Sequence, residues 1–181
     1  MQTRTEKLLD LLEKNGPSLH GLLTRLTLRE DVAEDLMQEL FIKLNQTHRV
    51  DTVDNLPAYV RTVAMNLAFD WRRKRKEHLF NDPDDVPEPA AEEKDIVARM
   101  VEHEQLQQVL QATERLSKTQ RHIFVLRYLE QRSFEQISQD TGKTPHHIRA
   151  ICSRALTRVR ELCSKTLAPK GVGRREDDVE F

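Results

Sequence analysis

Two groups of side chains in this chain have the types and spacing for work on nucleic acid. The first is Arg72, Arg73, Lys74, Arg75 and Lys76, five consecutive cations preceded by Asn66 and Phe69. Cations at a helix C-terminus complement the helix dipole, which accounts for one or two of them. Five in a row repel one another and require an anionic partner. Interleaved with an amide and an aromatic ring, they suit a single strand, where phosphates meet cations and unstacked bases meet rings. The second group lies in 134–162, FEQISQDTGKTPHHIRAICSRALTRVREL. Phe134 and Ile137 give a short first helix an apolar face, and Gly142 supplies the left-handed conformation of a tight turn. Thr144 is then an N-cap and Pro145 a first helical residue. Ile148, Cys152, Ala155, Leu156, Val159 and Leu162 share one face of the second helix. His146, His147, Arg149, Ser153, Arg154, Thr157 and Arg158 share the other. A short helix, a glycine turn and a longer helix with a basic outer face describe a helix-turn-helix, whose second helix enters the major groove. A plain helical hairpin with a solvated basic side satisfies the same pattern.

Enzyme chemistry is not expected. There is no Walker loop, no HExxH and no Cys/His set at metal spacing, and 171–173 in the tail is too weak a glycine signal. His146, His147 and Cys152 do not make a zinc set, because Cys152 falls on the inner face of its helix. No cofactor is expected.

The elements that position these groups read as helices throughout. Of 181 residues, 33% are charged, 5% are aromatic and five are glycine, a composition that favours small helical units over a sheet. Residues 6–14 form an amphipathic helix stopped by Asn15, Gly16 and Pro17, and Ser18 caps a second one carrying Leu19, Leu22, Leu23 and Leu26. A third covers about 31–45, with Ala33, Leu36, Met37, Leu40, Phe41 and Leu44 on one side. Its opposite side shows Glu34, Asp35, Gln38, Glu39 and, among them, Ile42. Periodicity fits either a partner surface or a lone exposed isoleucine there. After a loop over 47–56, Pro57 opens a helix to about Lys76 with a core stripe of Val60, Val63, Ala64, Leu67 and Trp71. Tyr59, Thr62, Met65, Asn66, Phe69, Arg72 and Arg73 are expected outward.

Residues 77–93 hold three prolines and many acids and read as a linker. Helical pattern resumes near Lys94 with Ile96, Val97, Met100, Val101, Leu106, Val109 and Leu110. It breaks at 116–118 and continues over about 119–129, where Ile123 and Leu126 face inward and Arg127 interrupts the stripe. The fold class is therefore all-α: two small helical domains, 1–76 and 94–168, joined by an acidic linker, the second with a helix-turn-helix. The tail 169–181 is expected to be disordered. Net charge is −1, yet it divides into +2 over 1–76, −8 over 77–105, +6 over 106–168 and −1 over the tail. Two basic blocks separated by an acidic one point to nucleic acid. No apolar run approaches the ~20 residues of a membrane span and no signal peptide opens the chain. Cys152 and Cys163, about 16 Å apart on one helix, are too distant to bridge, so a reduced cytoplasmic setting is expected.

The stretch 31–41, DVAEDLMQELF, resembles the "AEDLxQExF" signature of bacterial sigma factors of the extracytoplasmic-function class. Residues 55–59 (NLPAY) through 66–73 (NLAFDWRR) are similar to that family's next segment, with its "RNLAxDxxRR" pattern, and 116–129 followed by 134–162 looks like its C-terminal domain. The likeness runs over about 150 residues in the right order. It implies a subunit that binds RNA polymerase core and directs promoter-specific initiation. On that likeness Asp35, Gln38, Glu39 and Ile42 would dock on the polymerase's largest subunit, and the loop 47–56 would shape a pocket for a flipped base of the minus-ten element. Asn66, Asp70, Arg72, Arg73 and Arg75 would follow the melted strand, with Phe69 beside them. Thr144, His146, His147, Arg149, Ser153 and Arg154 would face the minus-thirty-five duplex, and the linker would thread the nucleic-acid channel. Many members are held by an anti-sigma factor, a further partner the likeness implies. The chain departs from the family in two places: Met65 stands where an arginine is frequent, and HHIRAI (146–151) replaces "GTVKSR". A stand-alone helix-turn-helix regulator is the alternative. An adaptor that binds polymerase without reading DNA is a third reading, opposed by the five-cation run.

Overall fold

The computed structural model describes residues 4–81 and 96–167, and among these all regular structure is helical. The linker beyond residue 81 up to 95 and the tail from 168 lie outside the described residues. Helix α1 spans Arg4–Thr27 without a break. The stop expected at Asn15, Gly16 and Pro17 does not occur, so 6–14 and the leucine-rich segment are one element. Leu8, Leu11, Leu19, Leu22, Leu23 and Leu26 are all buried on one continuous stripe. Their shared burial outweighs the one hydrogen bond that the proline cannot donate. Asn15 also donates from its side chain to the Leu11 carbonyl at 3.0 Å.

Helix α2 (Glu30–Gln46) buries Val32, Ala33, Leu36, Leu40 and Leu44, the stripe its periodicity predicts. Helix α3 (Leu56–Asn81) packs against both α1 and α2. The intervening segment is not wholly irregular: His48–Asp51 makes a single 3₁₀ turn that plugs Val50 into the core. Asn55 then caps α3 by accepting from the Ala58 N–H at 3.1 Å. Helix α3 continues past Lys76, so the first residues read as linker are helical.

The second half comprises α4 (Ile96–Glu114), α5 (Lys118–Phe124), α6 (Phe134–Thr141) and α7 (Pro145–Leu167). Val101 on α4 is exposed rather than part of the stripe. The break expected at 116–118 is a capping box at the start of α5, in which Ser117 and Gln120 satisfy each other's backbone N–H groups. Helix α5 runs into a π-helical turn, Val125–Leu129. The wider turn places Ile123, Phe124, Val125 and Leu126 all in the interior. A single buried apolar cluster joins the halves, with Leu110, Ile123, Val125, Leu126, Ile137, Ile148 and Ile151 continuous with the leucines of α1 and α2.

His122 lies at this junction. Burial, reinforced by the Arg61 guanidinium, pushes its pKa down to about 4. The unfolded imidazole titrates near 6.5, so the unfolded chain binds the extra proton first as pH falls. Stability is therefore expected to be complete above about pH 6.5 and to drop by roughly 3 kcal/mol between there and pH 4. Urea midpoints measured across that range should flatten in His122→Gln.

Candidate nucleic-acid interface

The helix-turn-helix forms as its residues dictate. Ser133 caps α6 in a second capping box, accepting from the Gln136 N–H at 3.1 Å while Gln136 Oε1 accepts from the Ser133 N–H at 2.9 Å. Gly142 ends α6 at φ +67°, with its N–H donated to the Ser138 carbonyl at 2.9 Å. Ser138 Oγ donates across the turn to the Lys143 carbonyl at 2.6 Å and fixes its width. Thr144 Oγ1 then accepts from the His147 N–H at 3.3 Å, the N-cap of α7. Ile137, Ile148, Cys152, Ala155 and Val159 are buried between α6, α7 and the platform. That burial forces His146, His147, Arg149, Ser153 and Arg154 outward, and all five are exposed with Thr144 at the start of the row. Ile151, within the stretch that departs from the family pattern, is buried and belongs to the core.

Arg149 has a defined resting place. Its guanidinium lies 5.0 Å from the centre of the Phe134 ring, and Nη2 is 3.6 Å from Glu135 Oε1. Arg127 stacks on the same ring at 4.6 Å and donates to the Arg132 carbonyl at 2.8 Å. The arginine that interrupts the inward stripe of the preceding segment thus holds the turn before α6. Burial pushes the Cys152 thiol pKa above its ordinary value, and Cys152 faces away from His146 and His147.

On α2 the surface residues fall as expected. Asp35, Gln38 and Glu39 are exposed, and Ile42 is 55% exposed among them, at i, i+3, i+4 and i+7 of one face.

On α3 the row is divided. Asn66 and Arg73 are exposed, Arg73 paired with Asp70 at 3.0 Å, and Arg75 lies over Trp71 at 5.3 Å. Phe69 is not an outward aromatic: it is 3% exposed, with the Arg121 guanidinium 4.7 Å from its ring centre. Met65, also expected outward, is buried. Arg72 is nearly covered as well, donating from Nε to Glu114 Oε1 at 2.6 Å and from Nη1 to the Leu26 carbonyl at 3.1 Å. The reason is tertiary. Helices α4 and α5 lie over this end of α3, and no local period of α3 encodes them.

Sequence reasoning also passed over four charged residues that join the halves. Glu130, just after the π turn, meets Arg25 of α1 at 2.7 Å and Arg61 of α3 at 3.3 Å, and Glu114 meets Arg72. The available signal was Arg61, a cation set directly beside the core residue Val60 and buried with it.

Comparison with known proteins adds two matches in chain order. Residues 11–78 match the family model for sigma-70 region 2, and residues 112–161 match the one for sigma-70 region 4. The chain is 27% identical over 155 residues to the RNA polymerase sigma factor CarQ of Myxococcus xanthus, covering 84% of this chain and 87% of that protein. It is 28% identical over 149 residues to the RNA polymerase sigma-E factor of Streptomyces coelicolor, covering 80% and 79%. Among solved structures it is similar to the sigma factor RpoE of Bartonella quintana, determined with the anti-sigma factor NepR. That likeness has a TM-score of 0.49 and 24% identity, and covers 88% of this chain and 98% of the other.

The turn offers a direct test. A Cβ at Gly142 meets no atom within 4 Å, so Gly142→Ala changes only the cost of a positive φ. Stability should fall by about 1–2 kcal/mol, and by less for Gly142→Asn, in chemical denaturation.

Proposed function

The chain belongs to the sigma-70 family as an RNA polymerase sigma factor of the extracytoplasmic-function class, and from that premise we propose how its residues share promoter recognition. It acts with polymerase core on promoter DNA, and a stand-alone regulator is not favoured. The observation that carries the reading is the ordered pair of matches, region 2 over 11–78 and region 4 over 112–161.

Within it, the unit 1–76 docks on core and engages the melted minus-ten strand, and 94–168 addresses the minus-thirty-five duplex. Asp35, Gln38, Glu39 and Ile42 form the docking face, an acidic ring around one exposed apolar anchor. Asn66, Phe69, Asp70, Arg72, Arg73 and Arg75 serve the single strand, and the loop 47–56 receives a flipped base. Thr144, His146, His147, Arg149, Ser153 and Arg154 serve the duplex, with Arg149 as the first base reader, since a guanidinium forks onto guanine O6 and N7. The reading gives the chain a binding role in a cytoplasmic assembly, with the chemistry left to the polymerase. An anti-sigma factor is a further partner in keeping with the class.

Run-off transcription with core polymerase on a promoter library, with and without this protein, tests the whole reading. Initiation at a subset of templates is the expected result. Footprinting of duplex by the protein alone, with no initiation on any template, would overturn it. On responsive templates, Arg149→Ala should relax promoter choice by about 1–3 kcal/mol at one position, whereas Arg73→Ala and Arg75→Ala should weaken opening on all templates alike. Core titrations should show Ile42→Asp binding at least about tenfold more weakly than the parent chain.

A further inference from the structure

Arg149 and Arg127 share one aromatic ring, and the two are held unequally. Phe134 opens α6 directly after the Ser133 cap and packs half-buried against the main apolar cluster, so the core fixes its ring. The Arg127 guanidinium, 4.6 Å from the ring centre, is anchored by its donation to the Arg132 carbonyl at 2.8 Å. The Arg149 guanidinium lies 5.0 Å from the same centre, and its other contact is Glu135 Oε1, 3.6 Å from Nη2. That separation is beyond a hydrogen bond, and both side chains of the pair are more than half exposed. Two cations on one ring repel each other. Arg127 is tied down, so Arg149 is the one that can leave.

A guanidinium stacked on a ring uses its flat face and keeps its N–H edge free. The contact that holds Arg149 therefore does not compete with a guanine fork, which uses the edge. What the ring removes is freedom. Arginine has many rotamers, and immobilising such a side chain on binding costs a factor of about two to ten in affinity. An arginine free to swing also finds a phosphate or another acceptor opposite the wrong base, which narrows the difference between right and wrong. One that is already aimed loses less on the right base and has fewer alternatives on the wrong one.

We infer that Phe134 is a positioning residue for base recognition. Its ring, fixed by the core and by Arg127, aims the Arg149 guanidinium at one base pair of the duplex, and Glu135 keeps it there until DNA arrives. The inference rests on Arg149 as the base reader proposed above. It makes specificity at one promoter position depend on a side chain of the first helix of the motif that need not touch DNA. It also gives a use to Arg127, the cation that interrupts the inward stripe of the preceding segment.

The test uses holoenzyme formed with the full chain, on promoters in which each base pair of the minus-thirty-five element is varied in turn. Initiation at limiting holoenzyme gives a preference ratio at every position. Arg149→Ala identifies the position read, where the ratio should fall about tenfold. Phe134→Leu should lower the ratio at that same position by about two- to fivefold, the worth of the lost stacking, and leave the other positions unchanged. Phe134→Tyr, which keeps the ring, should restore the parent profile. In the Arg149→Ala background Phe134→Leu should have no further effect on the ratio, because nothing is left to aim. Glu135→Gln alters an exposed side chain outside the core and should lower the ratio at the same position. If Phe134→Leu does not form holoenzyme, Glu135→Gln decides. A uniform fall across positions, or a Phe134→Leu effect on the ratio that persists without Arg149, means that the ring only supports the fold, and the inference is overturned. A ratio unchanged in both Phe134→Leu and Glu135→Gln overturns it too, while Arg149 keeps its role as reader. If Arg149→Ala alters no position, the reader assignment fails and the aiming role falls with it.

Discussion

One carboxylate sits where two helices and a turn converge. Glu130 faces Arg25 of α1 and Arg61 of α3 while belonging to neither. Removing either arginine leaves the other charge against a nearly dry anion, and removing the carboxylate leaves two cations without it, one of them, Arg61, near His122. The position of α4 to α7 against α1 to α3 rests on this meeting and on the apolar cluster around it. The π-helical turn is what delivers it. Its last residues close with the Glu130 N–H donated to the Val125 carbonyl at 3.0 Å, and the next residue, Gln131, takes φ +53° to turn the chain toward α6.

Much of the architecture was legible because it is written in local period and punctuation. The α2 stripe, the Gly142 turn, the Thr144 cap and the outward row of α7 all follow from residues within a turn or two of one another. The same locality explains what was not legible. Asn15, Gly16 and Pro17 form a strong local stop, but a leucine stripe on both sides of it is buried against α2 and α3, and that burial prevails. Phe69 is outward by the period of α3 and inward in fact, because Arg121 and Glu114 lie more than forty residues further on. Of the candidate site, the outward position of the α7 row and of the Asp35, Gln38, Glu39 and Ile42 face could be read directly. The α3 row proposed for the strand could be named but not placed, since its surroundings depend on how two halves meet.

The two basic surfaces are built on different principles. On α7 a buried apolar face drives His146, His147, Arg149, Ser153 and Arg154 outward in a fixed pattern, and a rigid helix suits a regular duplex. On α3 a run of cations, Arg72 to Lys76, follows the packed middle of the helix, with Arg73, Lys74 and Lys76 exposed and Arg72 nearly covered. Between them the acidic surface of α2 carries a single large apolar residue, Ile42, a composition suited to a protein partner rather than to DNA.

Arg149 already has partners before any DNA arrives: a ring beneath it and a carboxylate beside it. A bare cation adds to attraction for every phosphate it passes, and that attraction weakens with salt as counterions compete. A cation resting on Glu135 contributes less to this indiscriminate pull, because it must exchange one acceptor for another. Only a base edge that offers two well-placed acceptors compensates for the exchange. On the duplex-reading role proposed for α7, the pairing shifts the balance of the helix from holding any duplex toward choosing one, and it makes discrimination less dependent on ionic strength than overall affinity is.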